Sequence, residues 1–264
     1  MIFQSWTKKK ARGSNLPVNE NIPQKEEMRI AQFMAHCGVA SRRACEEIIL
    51  AGRVTINGAP VETLGTKASA KDMVCVDGKQ IHLEETMRYV LLNKPIGYVC
   101  SSSDEKDRPV ACDLLKEKYS ERLYNVGRLD MFSSGAIIFT NDGEFAAKLS
   151  HPSAELEKEY IVESMQPLPK FLAKDFEKGV RVENVFYKCK SAVELNSHKL
   201  KIILVEGKNR EIRRVFEHYE AVIKYLNRVR IGCVSIEGLA PGEFRDLSKE
   251  EVRSLLKLCK NYKI

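Results

Sequence analysis

Residues 126–143 read Val-Gly-Arg-Leu-Asp-Met-Phe-Ser-Ser-Gly-Ala-Ile-Ile-Phe-Thr-Asn-Asp-Gly, and no other stretch of the chain restricts its fold as tightly. Asp130 ends a Gly-Arg-Leu approach, and the small residues Ser133, Ser134 and Gly135 follow it. An apolar β-type run, Ala136 to Phe139, then leads into Asn141-Asp142-Gly143, a turn signal. A short apolar run bounded in this way reads as a buried strand. The layout therefore holds one carboxylate at the mouth of a buried strand with little bulk beside it, so that a flat ligand can approach. Taken alone, an Asp in such a turn is more often a cap or Asx-turn residue, and the other motifs must decide.

With 264 residues, 44% of them hydrophobic, the chain is long enough for a sizeable core and one or two domains. Lys plus Arg number 43 against 36 Asp plus Glu. This basic lean points to a polyanionic partner only where the charges cluster. The eight cysteines include no C-x-x-C pair, which argues against a zinc site or a disulfide framework and for reduced, mostly buried thiols. No metal site is expected from this spacing. The start, Met-Ile-Phe-Gln-Ser-Trp, lacks the apolar stretch of about 7–15 residues of a secretory leader, and no run reaches the roughly 18 apolar residues of a membrane span. The expectation is a cytoplasmic protein with no membrane association, a monomer by default.

Residues 1–27 read as a disordered polar tail containing Lys8-Lys9-Lys10, Arg12, Pro17 and Pro23. From 28 to 83 the pattern changes. Ile30, Phe33 and Met34, then Ala44, Ile48 and Ile49, follow helical spacing, with Gly38 between the two helices and Ser41 a plausible N-cap of the second. Val54-Thr55-Ile56 runs into Asn57-Gly58, a strong hairpin signal, and Met73 to Val76 before Asp77-Gly78 gives another. Arg29, Arg42, Arg43 and Arg53 lie in or beside these helices, a grouping next to helix termini that suits phosphate contact. A linker, 84–88, precedes a mixed α and β pattern over 89–255. Strands are expected at 89–94, 97–100, 136–140, 160–162, 185–194, 200–205 and near 222–236. Helices are expected at 111–119, from 143 to 149, at 168–178 and at 209–219, and the last residues, 256–264, read as a tail. Strands outnumber helices and hairpin-like links are frequent, so the fold class is α+β, with a mixed, mainly antiparallel sheet flanked by helices.

Two more segments carry chemistry. In Glu206-Gly207-Lys208-Asn209-Arg210-Glu211-Ile212-Arg213-Arg214-Val215-Phe216 a strand gives way to a helix, with four cations within seven residues. Ile212, Val215 and Phe216 supply the apolar face, so some cations run along the flank. One arginine turned inward to pair with an acid would orient that acid and hold it ionised. The other segment is His151-Pro152-Ser153 followed by Glu157-Lys158-Glu159-Tyr160. A Tyr at a strand start usually packs in the core, but in a nucleobase pocket it can stack on a flipped base or handle a proton.

Together these residues resemble bacterial ribosomal-RNA pseudouridine synthases of the branch that carries an N-terminal S4-type RNA-binding domain. Gly127-Arg128-Leu129-Asp130, Ser134-Gly135 and Thr140-Asn141-Asp142-Gly143 resemble the catalytic motif; Lys158-Glu159-Tyr160 and Glu206 to Arg214 resemble two further active-site motifs. Residues 28–83, with Gly38 to Arg43 and Gly52-Arg53-Val54, resemble the S4-type domain, and Tyr225 to Gly232 with Leu239 to Glu243 resemble the branch's C-terminal strands. Phe132, Ser133 and Ala136 differ from the family's usual residues.

The resemblance implies an isomerase that converts uridine to pseudouridine without a cofactor, an intramolecular transfer on ribosomal RNA or a precursor particle, with 23S preferred to 16S. It implies Asp130 as the catalytic carboxylate, Arg213 as its buried partner and Tyr160 against the target uracil. Arg128 would fill the stack left by the flipped nucleotide, and Ile212 would wall the base. Lys158, Lys208, Arg210 and Arg214 are further substrate-binding candidates. Arg29, Ser41, Arg42, Arg43 and Arg53 are the candidates for RNA contact in the S4-type domain. Two rival readings stand beside this one. An RNA-binding assembly factor would need only the S4-type module and has no use for an inward acid–arginine pair. A cysteine-dependent RNA methyltransferase would need a glycine-rich cofactor loop after a strand, which the sequence lacks.

Overall fold

The computed structural model describes residues 27–101 and 106–259. Apart from Glu27, the tail expected over 1–27 lies outside the described residues.

The N-terminal module comprises β1 (Met28–Arg29), α1 (Ile30–His36), α2 (Arg42–Leu50), β2 (Val54–Ile56), β3 (Ala59–Pro60), β4 (Lys67–Ala68), β5 (Val74–Val76) and β6 (Lys79–Gln80). Both helices are short, and their stability comes from a shared core of Ile30, Phe33, Met34, Cys45, Ile49, Val54 and Val74. Ser41 caps α2, its hydroxyl accepting the Ala44 N–H at 3.2 Å. Asn57 and Gly58 both take positive φ (52° and 85°), the conformation that a tight hairpin with the native twist requires. The sheet order is β3-β2-β5-β6, and β1 pairs separately with β4, a pair that the sequence did not signal.

The larger domain is built from β7 (Tyr89–Lys94), β8 (Tyr124–Val126), β9 (Ser134–Thr140), α3 (Gly143–Ser150), β10 (Lys158–Ser164), α4 (Leu172–Lys178), β11 (Val180–Val182), β12 (Val185–Tyr187), β13 (Ser191–Asn196), β14 (Lys199–Leu204), α5 (Glu211–His218), β15 (Ile223–Ile231), β16 (Val234–Ser235), β17 (Phe244–Asp246) and α6 (Lys249–Leu258). Its main sheet runs β13-β14-β10-β15-β9-β7-β17, with β8 added to β9 and β16 to β15. Every pairing is antiparallel except β15 with β9. Alternation explains why β9 reads as an unbroken apolar run: Ile137 and Phe139 face one core, Ala136 and Ile138 the other. Both faces of the strand are buried, so neither needs polar side chains.

The small residues after Asp130 have a backbone purpose. Gly135 has φ +105°, and a Cβ there would run into the Arg228 carbonyl and the Asn227 side chain of β15. The parallel contact, Ser134 with Asn227 and Gly135 with Arg228, thus requires glycine at 135, where the sequence reading saw room for a ligand.

Several boundaries differ from the sequence expectation. Residues 111–119 contain only a 3-10 turn, Ala111–Leu115, and Gly97 to Cys100 contributes a single bridge, Val99 with Val110. The strand expected over 185–194 is two, β12 and β13, with buried Cys189 between them. The tail expected from 256 begins inside α6, which Ser248 and Glu251 start with a reciprocal capping box and which Leu255 anchors in the core. Residues 84–88 are pinned in place: the Glu84 N–H donates to the His36 carbonyl, while its carboxylate accepts from the Arg122 N–H (3.3 Å) and the Asn141 side chain (2.5 Å). Cys45, Cys189 and Cys259 are buried, but Cys233 is exposed in the turn after β15 and the other four thiols are intermediate; all eight are free.

α5 begins with a buried acid. Glu211 accepts the Lys208 N–H at 3.1 Å through one carboxylate oxygen, and the other oxygen is buried without a partner. Burial first, and nearby Glu206 next, push its carboxyl up to about 7. The folded state therefore binds a proton that the unfolded chain gives up above the ordinary Glu value, and stability falls as pH rises towards 7.

Two stability outcomes follow. Gly135→Ala should cost about 3 kcal/mol or more, from clash and backbone strain combined, read as a lowered urea midpoint. Between pH 5 and 7 the wild type should lose stability relative to Glu211→Gln by up to about 1.4 kcal/mol per pH unit, measured by urea unfolding at each pH; parallel curves would refute the buried-acid account.

Candidate active site

The loop from β8 into β9, the start of β10, the turn before α5 and the middle of β15 together enclose a cavity of about 580 Å³. Its walls include Arg128, Asp130, Lys158, Tyr160, Lys208, Arg210, Ile212, Leu226 and Arg228. The three motifs lie far apart in the chain; they adjoin β9, β10 and β14, which share one sheet in the order β14-β10-β15-β9, and this brings them together.

Asp130 stands on the cavity wall with its side chain 39% exposed. Two guanidinium groups flank it: Arg213 Nε lies 3.8 Å and Arg210 Nη1 3.9 Å from the same carboxylate oxygen, Oδ2. The sequence expectation named one inward arginine, and the structure provides a second. Neither separation is a hydrogen bond, and Arg213 Nε is buried without an acceptor. Arg213 Nη2 instead donates to the Phe132 carbonyl (2.7 Å) and the Ser133 hydroxyl (3.2 Å). Arg213 thus grips the loop that carries Asp130 from behind. Burial, reinforced by Arg210 and opposed by Asp130, pulls its guanidinium below its ordinary value. Arg210 adopts a left-handed conformation (φ 51°) just before α5, which swings its side chain towards both Asp130 and Glu217.

Tyr160 is almost fully buried on β10, and its ring and Ile212 offer flat apolar surface to the cavity. Arg128 is exposed where β8 opens into the cavity. Lys158 reaches the cavity wall, but its ammonium is held by the Leu156 and Val205 carbonyls; burial, then Arg228, push it down to about 8. Lys208 likewise is engaged, by Glu206 and the Phe186 carbonyl. Arg214 does not reach the site: it points from the far side of α5 to Glu183 at 3.3 Å, because one residue along a helix turns a side chain by about 100°.

In the N-terminal module Arg29, Arg42 and Arg43 are exposed. Arg42 and Arg43 occupy the first turn of α2, which has no acidic residue. Cations there oppose the helix dipole, an arrangement that an approaching phosphate relieves. Ser41 caps α2, and Arg53 makes a half-exposed bidentate pair with Asp77, so both have partners within the fold.

Sequence reading overlooked two buried cations behind the cavity. Arg228 is 3% exposed and Lys94 fully buried. The signal for Arg228 was present: on a strand, 226 and 228 share a face, and Leu226 faces the core. Among the described residues no three His, Cys, Asp or Glu side chains gather as a metal site.

The sequence model of the RNA pseudouridylate synthase family matches residues 88–218, and that of the S4 domain residues 28–79. The chain is 38% identical over 237 residues to ribosomal large subunit pseudouridine synthase B of Bacillus subtilis, covering 88% of this chain and 96% of that one. It is 38% identical over 232 residues to an RNA pseudouridine synthase of Borreliella burgdorferi, covering 86% and 92%. A crystal structure of a pseudouridylate synthase superposes with a TM-score of 0.64 at 26% identity, covering 86% of this chain and 99% of that one. With an S4 domain leading into a synthase domain, the chain belongs to the RNA pseudouridine synthase family and is an isomerase acting on RNA.

Proposed function

We propose that this protein isomerises a uridine of large-subunit ribosomal RNA, alone or in a precursor particle, as a cytoplasmic monomer, with Asp130 as the reacting carboxylate. The observation that carries this reading is the half-exposed Asp130, set between Arg210 and Arg213 at the edge of a cavity walled by Tyr160 and Ile212. The large subunit is preferred to the small because the Bacillus subtilis relative is named for it. Among the described residues no helix is long and apolar enough to cross a membrane. An assembly factor that only bound RNA would gain nothing from this cavity.

The chemistry follows from the charges. The glycosidic N1–C1′ bond must break, the uracil must turn, and C5 must join C1′. A carboxylate at the reaction centre compensates the electron-poor sugar, by attack or by taking a ribose proton. Two guanidinium groups lie within 4 Å of that carboxylate. Arg213, through the Phe132 carbonyl and Ser133 hydroxyl, fixes where the acid sits. The uridine reaches the cavity only if flipped from its helix, at a cost of a few kcal/mol; Arg128, exposed at the mouth, fills the vacated stack and offsets part of that cost. Arg29, Arg42 and Arg43 hold the RNA by its phosphates, a grip on shape and charge rather than on base sequence.

Asp130→Ala should abolish pseudouridine formation on ribosomal RNA while leaving RNA affinity within about threefold, since most affinity comes from phosphate contacts elsewhere. Pseudouridine mapping of ribosomal RNA from cells lacking the gene names the target, and an unchanged large-subunit map would overturn the substrate. Raising salt from roughly 50 to 200 mM should weaken RNA binding by an order of magnitude or more, measured by filter binding; a flat response would remove the basic-surface account.

A further inference from the structure

The back wall of the cavity holds a guanidinium that the chemistry above does not use. Arg228 projects from β15 on the same face as Leu226, with 3% of its surface exposed. Its Nε donates to the Ala136 carbonyl at 2.7 Å, and Nη1 lies 3.5 Å from the Tyr160 hydroxyl. Nη2 is sealed from solvent and has no acceptor. A buried donor on a permanently charged group is costly to leave unpaired, and its persistence at a cavity wall points to an acceptor that arrives with the ligand.

The neighbouring charges sharpen this. Lys94 donates to the Pro95 and Tyr98 carbonyls, and Lys158 to those of Leu156 and Val205. Burial pushes both lysines to about 8, with Arg228 adding to the push on each. Among the described residues no acid hydrogen-bonds to any of these three cations. The wall therefore carries positive charge in search of an anion, at a depth where base-sized apolar surface, Leu226 and Ile212, lines the approach. A backbone phosphate would instead meet Arg128 and Arg210 at the exposed rim.

We propose that Arg228 is a catalytic residue that donates through Nη2 to a uracil carbonyl and takes up the negative charge formed on the base as its glycosidic bond breaks. This rests on reading the Asp130 cavity as the uridine site. The N1–C1′ bond breaks heterolytically. Its electron pair stays on N1 and spreads to O2 and O4, while C1′ is left electron-poor beside Asp130. After the ring turns, C5 supplies the pair for the C5–C1′ bond. The C5 proton then departs and N1 gains one, so substrate and product are isomers and no oxidant or reductant enters. Preorganised donors aimed at developing charge in a water-poor site are a large source of rate enhancement. Arg213 cannot serve in this way, because it is spent on the Asp130 loop.

The test compares single-turnover cleavage of the N-glycoside in RNA fragments carrying uridine or 5-fluorouridine at the target, in wild type, Arg228→Lys and Arg228→Gln. Fluorine stabilises the uracil anion, so the base needs less help from the protein. Arg228→Gln should slow uridine about 100-fold with RNA affinity nearly unchanged, and the deficit should shrink about tenfold on 5-fluorouridine, with Arg228→Lys in between. Equal deficits on both substrates, or a loss confined to affinity, would reduce Arg228 to a structural role. A measurement on the wild type alone guards against variants that do not fold. Barbiturate, a pyrimidine that is anionic at neutral pH, should inhibit at least about tenfold more strongly than uracil, and equal inhibition would overturn the proposal. An active wild type with these negative results removes only the role of Arg228, whereas full activity of Asp130→Ala would remove the site itself.

Discussion

The contact between β9 and β15 is the constraint on which the rest depends. It is the one parallel pairing described in the main sheet, and it forms where Gly135 lets the backbone of Arg228 approach closer than any side chain would permit. One consequence lies upstream: the chain entering β9 must turn sharply, which presents Asp130 at the strand mouth. Another lies across the pair: the Arg228 side chain is drawn beneath the cavity, where its Nε takes the Ala136 carbonyl. The same close approach thus fixes both the acid and the cation behind it.

Charge in this region is layered by depth. At the rim, Arg128 and Arg210 remain accessible to solvent, where charges are screened and suited to phosphates. Arg213, in the intermediate layer, is committed to carbonyl and hydroxyl oxygens of the Asp130 loop, so it positions more than it attracts. At the back, Lys94 and Arg228 lie out of water and Lys158 is partly buried, with backbone carbonyls as their main partners. Burial strengthens any interaction that these cations make with an arriving base. In the proposed function, this layering separates holding an RNA from acting on one of its nucleotides.

Glu84 ties the RNA-binding module to the synthase domain. Its backbone bonds to the end of α1, and its carboxylate bonds to the Arg122 backbone and to Asn141, directly after β9. The turn that closes β9 therefore also receives the linker. Arg42 and Arg43 thus belong to a module tied to the end of β9 opposite the loop that carries Asp130.

Much of this was legible in the sequence for local reasons. Period-3.6 apolar spacing and the Ser41 cap marked α2, Asn57-Gly58 marked its hairpin, and the run Ala136 to Phe139 marked a strand buried on both faces. The roles proposed for Asp130, Tyr160 and Arg213 came from motif resemblance, and the structure brings all three residues to one region. What sequence left open was set by contacts across long separations. Gly135 looked like space for a ligand and proved to be space for a neighbouring strand. Arg214 and Arg213 are adjacent in the chain, yet helix rotation sends one to Glu183 and the other to the Asp130 loop. Folding gives Arg53 and Ser41 partners, Asp77 and the Ala44 N–H, that lie apart from them in sequence or in the local turn. Lys94 gave no local sign of its burial, and Arg228 only the strand face that it shares with Leu226, because the sheet order that encloses them is decided by which strands pair. The sequence determines which strands and helices can form and which chemical groups they carry, since propensity and periodicity act over a few residues. Only tertiary packing decides which of those groups face one cavity and which are consumed holding it together.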